Sequence, residues 1–219
     1  MKNYKITFHG MRTVAFQQQI MFDGLLAYAY VQEHGTSDDK GIGKLSIQTP
    51  FDFSGMPIEC HKDGYYSGSW MFYNKDKASK QVQTSLKKWD EQHDYMADFG
   101  KAQRAVQIDK GEFKTTQIPI QVLTVPEVWF FFRSGNVSEV HRLIEKHIAG
   151  IGKKVSRGHG FFSSFVIEEL AKNPFGEIIR PIPVTEAEVR QIQAGAKYEY
   201  CAWTFPYWET TNFQMCRVK

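Results

Sequence analysis

Residues 150–160, GIGKKVSRGHG, set Gly150, Gly152, Gly158 and Gly160 among Lys153, Lys154, Ser156, Arg157 and His159, with no acidic residue between them. Glycine admits positive φ and a close approach of backbone to ligand, so successive N–H groups beside these cations can form a concavity for an anion. A phosphate suits such chemistry. His159 adds a group able to move a proton near neutral pH. The plainer alternative is a helix cap followed by a solvated turn.

Known nucleotide-binding motifs do not fit. GxxxxGK[ST] is absent, and glycines at 150, 152, 158 and 160 do not make GxGxxG. Both motifs also lead into a helix whose N-terminus faces the phosphate, whereas FFSSFVIEEL after this loop reads as a strand. An extended phosphate backbone therefore fits better than a mononucleotide or dinucleotide.

A second cationic cluster spans 75–88, where Lys75, Lys77, Lys80, Lys87 and Lys88 stand against Asp76. With Trp70, Phe72, Tyr73 and Trp89 nearby, this strip could contact phosphates and stack splayed bases, as single-stranded RNA recognition requires. The same pattern also describes a solvated charged face over core aromatics. Arg104, Lys110 and Lys114 lie among Asp98, Asp109 and Glu112, so their charges are locally balanced.

Other chemistries find little purchase. Cys60-His61, His93-Asp94 and the pair His141 and His147 lack zinc-ligand spacing, and six residues on a helix do not share a face. GxSxG is absent, and the carboxylates show no glycosidase-like pairing. Neither metal nor cofactor is expected. Cys60, Cys201 and Cys216 are odd in number and far apart, which argues against a disulfide framework and for a reducing compartment.

The elements that must position these groups follow from periodicity. Tyr4–Phe8 alternates as a half-buried strand. FDGLLAYAYVQEHG reads as a mostly buried helix with Asp23 as N-cap and Gly35 as its stop. Residues 36–115 are rich in turn formers and read as an inserted region of hairpins and loops. FKTTQIPIQVLTV and VWFFFRSG are two strands split by Pro126 and expected to pair with each other. NVSEVHRLIEKHIAG is a helix with Asn136 and Glu139 as capping box and Gly150 past its end. Thr185 with Glu188 marks a further capping box, and the tail through WTFPYWET reads as packed edge structure. The resulting β-α-β-β-α-β order predicts an α+β, ferredoxin-like fold of one sheet with helices on one face.

Composition adds limits. The chain has 219 residues and a net charge of +3, so local rather than bulk charge must carry any nucleic-acid argument. MKNYKITFHG lacks the apolar run of a signal peptide, and no stretch approaches the roughly twenty apolar residues of a membrane helix, so a cytoplasmic protein without membrane contact is expected.

A ferredoxin-like core whose last helix runs through a basic glycine-rich loop into its last strand resembles the RAMP superfamily of CRISPR-associated proteins. FDGLLAYAY, KKWDEQ followed by DKGEFKTTQIPI, GIGKKVSRGHG, and RPIP with a late FPYW together look like the Cas-five-like subunit of type IV CRISPR effector complexes, across most of the chain. The resemblance implies a single RAMP domain over 1–219, with a thumb-like insertion at about 36–115 and a C-terminal extension at about 171–219. It implies a non-catalytic subunit that binds the 5′ handle of the guide RNA. Such a subunit caps the backbone filament and contacts the large subunit near the adjacent motif of the target DNA. RNA contacts are then expected from the loop residues 150–160 named above and from Lys75, Lys77, Lys80, Lys87, Lys88, Trp89 and Arg104. The alternative within the superfamily is a metal-independent endoribonuclease that processes precursor guide RNA, for which His159 is the candidate acid or base. A small interaction protein with an incidental basic loop is the reading outside it.

Overall fold

The structure, a computed structural model, describes residues 1–16, 19–35, 51–62, 64–87, 116–176, 179–185, 188, 197–205, 207 and 210–218. Within them the protein is mixed α+β, with antiparallel strands and two α-helices.

Strand β1 (Lys2–His9) turns Tyr4, Ile6 and Phe8 inward, as its period-2 pattern dictates. The later strands β5 (Glu127–Ser134) and β6 (Ser164–Leu170) flank it, both antiparallel, so that Ile6 lies opposite Phe130 and Ile167. Helices α1 (Phe22–His34) and α2 (Val137–His147) pack on that face through Phe22, Leu26, Leu143 and Ile144, all fully buried. Phe22 stacks on Phe132 with ring centroids 4.8 Å apart. Removing so large a buried ring would cost on the order of 3–5 kcal/mol.

Beyond β5 the edge place expected of FKTTQIPIQVLTV is taken by an irregular strand from residues 67–72. Ser69 N–H donates to Phe131 O at 2.9 Å, while Phe72 and Trp129 exchange backbone bonds at 2.8 and 2.9 Å. Residues 67–72 thus run antiparallel along the edge of β5, with bridges at Gly68–Phe132 and Phe72–Trp129.

The expected pairing of FKTTQIPIQVLTV with VWFFFRSG does not occur. The first becomes β4 (Thr116–Thr124), which lies between β2 (Thr13–Phe16) and β3 (Ser79–Lys87) in a second sheet, while the second is β5 of the first sheet. β4 does not reverse at Pro126 because β1–β2 and β4–β5 form the two arms of one antiparallel ribbon. Val125 N–H donates to Arg12 O at 3.2 Å and Met11 N–H to Pro126 O at 3.0 Å, carrying the ribbon across the junction. Residues 10–12 oppose 125–126 there, a bulge that bends the ribbon, with Gly10 at φ 70°. Pro126 fixes its own φ and keeps Val125 extended, which favours continuation over a turn.

The helix ends follow the sequence in part. Asn136 Oδ1 accepts from Glu139 N–H at 3.2 Å, as expected of an N-cap. The Glu139 carboxylate turns instead to Arg142, at 2.9 and 2.8 Å, so the box is half closed. α2 stops at the extended residue Ile148 rather than at Gly150. Asp23 is not the N-cap of α1. Met21 is, and Asp23 is fully buried inside the first turn, where Tyr207 Oη donates to it at 2.7 Å and Arg180 Nη1 lies 3.4 Å away. A partner 157 residues away in the chain, invisible to local patterning, overrides the capping preference.

The C-terminal region forms a third sheet, β7 (Ile182–Pro183), β9 (Phe213–Val218) and β8 (Lys197–Ala202). Arg180 ties it to residues 65–68, donating to Tyr66 O, to Gly68 O at 3.2 Å and to Trp203 O at 2.5 Å, with its guanidinium 4.5 Å from the Tyr65 ring centroid. Phe205 stacks on Tyr66 and meets Phe53 edge-on, which bears out packing of the tail. Thr185 and Glu188 make the reciprocal box, with Glu188 N–H donating to Thr185 Oγ1 at 3.3 Å and Thr185 N–H to Glu188 Oε2 at 2.8 Å. Among the described residues no helix is long and apolar enough to cross a membrane.

Candidate nucleic-acid interface

Between α2 and β6, the chain from Gly150 to Gly160 folds back on β2. Lys153 N–H donates to Ala15 O at 2.7 Å and Gly160 N–H to Thr13 O at 2.5 Å. Gly152 and Gly160 make this contact possible. Both have positive φ, 93° and 78°; a Cβ on Gly152 would lie 2.5 Å from Ala15 O, and one on Gly160 would collide with the Ile151 carbonyl. The close approach that the glycines permit is therefore to the protein's own backbone.

Most of the loop's amides are engaged in the same way. Ile151 N–H donates to Gly160 O, Arg157 and His159 N–H to Lys154 O, and Gly158 N–H to Val155 O. With Lys153 and Gly160, that makes six amides directed at carbonyls, so these groups do not form the open anion concavity expected from the sequence. The loop instead presents side chains. Lys153, Ser156 and Arg157 are exposed and Lys154 is half-buried, around a single 3-10 turn at Val155–Arg157. Lys154 holds a left-handed conformation, φ 60° and ψ 32°, unfavourable for a residue with a Cβ.

His159 is half-buried, with Nδ1 3.0 Å from Thr13 Oγ1 on β2. His9, at the end of β1, lies 3.2 Å from Glu127 instead. The two imidazoles are thus held by different partners, and Thr13, which sequence reasoning did not single out, is the residue that orients His159. The signal for β2 was the short run TVAF, too brief to stand out as a strand.

Of the second cluster, Lys75 and Lys77 are exposed in a 3-10 turn capped by Asn74, whose side chain accepts from Asp76 N–H at 2.9 Å. Lys80 is exposed on β3, its Nζ 5.6 Å from the Tyr73 ring centroid. Lys87 ends β3, opposite Thr116. Lys88, Trp89 and Arg104 lie outside the described residues.

The loop and β3 belong to one layer. Lys153 bridges Ala15, Ala15 pairs with Val122, and Val122 pairs with Gln81, so loop, β2, β4 and β3 form one hydrogen-bonded layer. Three interstrand steps separate Lys153 from Gln81, about 14 Å. Val14 and Leu123, fully buried, anchor this layer to the main core.

Two charge clusters elsewhere are satisfied within the fold. Glu33 of α1 receives Arg142 Nη1 at 2.9 Å, Lys146 Nζ at 2.8 Å and His147 Nε2 at 2.5 Å, which hold its carboxyl well below the usual range. Lys146 and Arg142 thereby belong to the helix–helix contact. Burial pushes the Asp23 carboxyl up, against the opposing pull of Arg180 and the Tyr207 hydroxyl. Among the described residues, no group of three or more His, Cys, Asp or Glu is placed to hold a metal ion. Cys60, Cys201 and Cys216 are free thiols.

The fold and site define an α+β protein in which a cationic loop and a lysine-bearing strand share one sheet-like layer. No protein-family model matches the chain, and no curated protein matches it.

Proposed function

We propose that this protein is a non-catalytic, guide-RNA-binding subunit of a multi-protein CRISPR effector, of the RAMP superfamily and similar to the Cas-five-like subunits of type IV complexes. The observation that carries the proposal is the loop that presents Lys153, Lys154 and Arg157 while docked on β2, in one hydrogen-bonded layer with the lysine-bearing strand β3. Several cations presented side by side suit a polymer of phosphates better than a single small anion. The order β6-β1-β5 followed by residues 67–72, all antiparallel with two helices on one face, supports the ferredoxin-like reading.

In this reading Lys153, Lys154 and Arg157 hold the phosphates of the 5′ handle, and Lys75, Lys77, Lys80 and the end of β3 follow the strand onward. The subunit caps the backbone filament and contacts the large subunit near the target DNA's adjacent motif. His159 is a positioned contact residue, held by Thr13, rather than a catalyst. The test is the assembled complex with Lys153, Lys154 and Arg157 all changed to Ala. Guide-RNA occupancy falls if the loop grips the RNA; unchanged occupancy in a normally assembled complex refutes the assignment.

A further inference from the structure

Strand residues alternate between faces, and Tyr4, Ile6, Phe8, Phe130 and Phe132 fill the face of the main sheet covered by the helices. The other face therefore carries Lys5 and Thr7 of β1, Trp129 and Phe131 of β5, and Val166 of β6, which is 48% exposed. Its aromatics are ordered against one another. Phe72, from the irregular fourth strand, stacks on Trp129 with planes 11° apart and centroids at 6.4 Å, and meets Phe131 edge-on at 5.3 Å. Trp129, Phe131 and Phe72 are all half-buried.

Cations sit over the rings. Lys5 Nζ lies 5.3 Å from the Trp129 ring centroid. From Phe72 the chain passes through Tyr73, which packs against the core with Lys80 Nζ over its ring, and Asn74 to the exposed Lys75 and Lys77. The acids nearby are distributed unevenly. Glu168 lies opposite Lys5, Glu127 is 3.2 Å from His9, and Glu59 is 3.2 Å from Arg133. Apart from His9, the ring-bearing end sets Lys5 and Arg133 against Glu168, Glu127 and Glu59, whereas Lys75, Lys77 and Lys80 stand against Asp76 alone, so the excess positive charge belongs to that end.

We infer that this sheet face is a stacking platform for a single-stranded nucleic acid, with bases against Trp129 and Phe72 and phosphates along Lys75, Lys77 and Lys80. Unpaired bases offer flat apolar faces to the rings, which a duplex keeps stacked within itself, and stacking of this kind tolerates any base. Near-neutral charge at the rings suits bases, and the adjoining lysines suit the backbone. A protein partner would use the rings but would not call for the lysine run that continues from them. The inference rests on the RNA-binding reading above and extends it to a surface distant in sequence from the glycine-rich loop.

The test uses the full chain, a fluorescein-labelled oligouridylate, and inorganic polyphosphate as a ligand with charge but no bases. Trp129→Leu and Phe72→Leu keep aliphatic bulk and remove the aromatic face; a triple Lys75→Ala, Lys77→Ala, Lys80→Ala variant removes charge. Circular dichroism melting checks each fold, and Phe72→Leu, at the sheet edge, gives the reading if Trp129→Leu does not fold. Each aromatic variant is expected to weaken oligouridylate binding about tenfold and to leave polyphosphate binding unchanged, while the lysine variant weakens both. Oligouridylate binding that is equal in wild type and folded aromatic variants overturns the platform and leaves RNA binding by the loop standing. If the wild-type chain, alone and in its complex, binds no RNA, the underlying reading fails as well.

Discussion

Lys153 donates its backbone N–H to the carbonyl of Ala15 at 2.7 Å, and this bond makes a loop from the second half of the chain the neighbour of a strand from its beginning. The loop's conformation is therefore set by β2 as much as by its own glycines. The same layer carries β3, whose Gln81 is in register with Lys153 through Ala15 and Val122.

The glycines should separate by role. A Cβ at Gly152 or Gly160 meets backbone oxygen and needs a positive φ, so Gly152→Ala and Gly160→Ala should each destabilise the protein by about 2 kcal/mol or more. At Gly158 no atom lies within 4 Å of the added Cβ, and only the φ of 90° is unfavourable, so Gly158→Ala should cost about 1 kcal/mol. Thermal denaturation of the three variants gives the ranking.

Lys154 offers a sharper separation of stability from binding. Its φ of 60° suits glycine better than lysine, so Lys154→Gly should leave the melting temperature unchanged or raise it, by about 1 kcal/mol of stability at most. Affinity for RNA should fall in the same variant, with a shallower salt dependence. Melting and binding titrations on one preparation measure both.

Arg180 should be indispensable to the docking of the C-terminal sheet. It is buried, paired with Asp23, and bonded to carbonyls of Tyr66, Gly68 and Trp203. Arg180→Ala leaves Asp23 buried without its cation, which should cost about 3–5 kcal/mol. Arg180→Lys should recover only part of this, since one ammonium cannot span the carbonyls that a planar guanidinium reaches. Chemical denaturation of both variants checks the order.

The α1–α2 contact should be acid-sensitive. Glu33 has a folded pKa below its unfolded value of about 4.3, because Lys146, His147 and Arg142 bind the carboxylate. A depressed carboxyl pKa contributes stability that is present above the unfolded value and is lost as pH falls towards the folded one. Glu139, lowered by Arg142, acts in the same direction. Glu33→Gln should melt below wild type near neutral pH, and the gap should narrow as pH drops below the glutamate range.

Local patterns in the sequence located much of the fold. β1 lies where Tyr4, Ile6 and Phe8 alternate, α2 begins at Asn136, and Thr185 and Glu188 close their box, since each depends on neighbours a few residues away. Long-range partners account for what was misread. Asp23 has the chemistry of a cap but is held by Arg180 and Tyr207, and the ribbon passes from β4 to β5 across Pro126 without reversing because β1 and β2 continue beside it. The loop's composition makes it a candidate site, whereas its docking on Thr13 and Ala15 depends on residues with no unusual composition of their own. The stacking of Phe72 on Trp129 likewise depends on a sheet edge formed by irregular chain.

The most direct test of guide-RNA binding is to purify the protein with its native partners and sequence the RNA that accompanies it, beside the Lys153→Ala, Lys154→Ala, Arg157→Ala variant. The account predicts RNAs sharing one defined 5′ end in the wild-type preparation and a marked loss of that RNA from the assembled variant. An RNA-free wild-type preparation, or equal RNA content in the two, would contradict it.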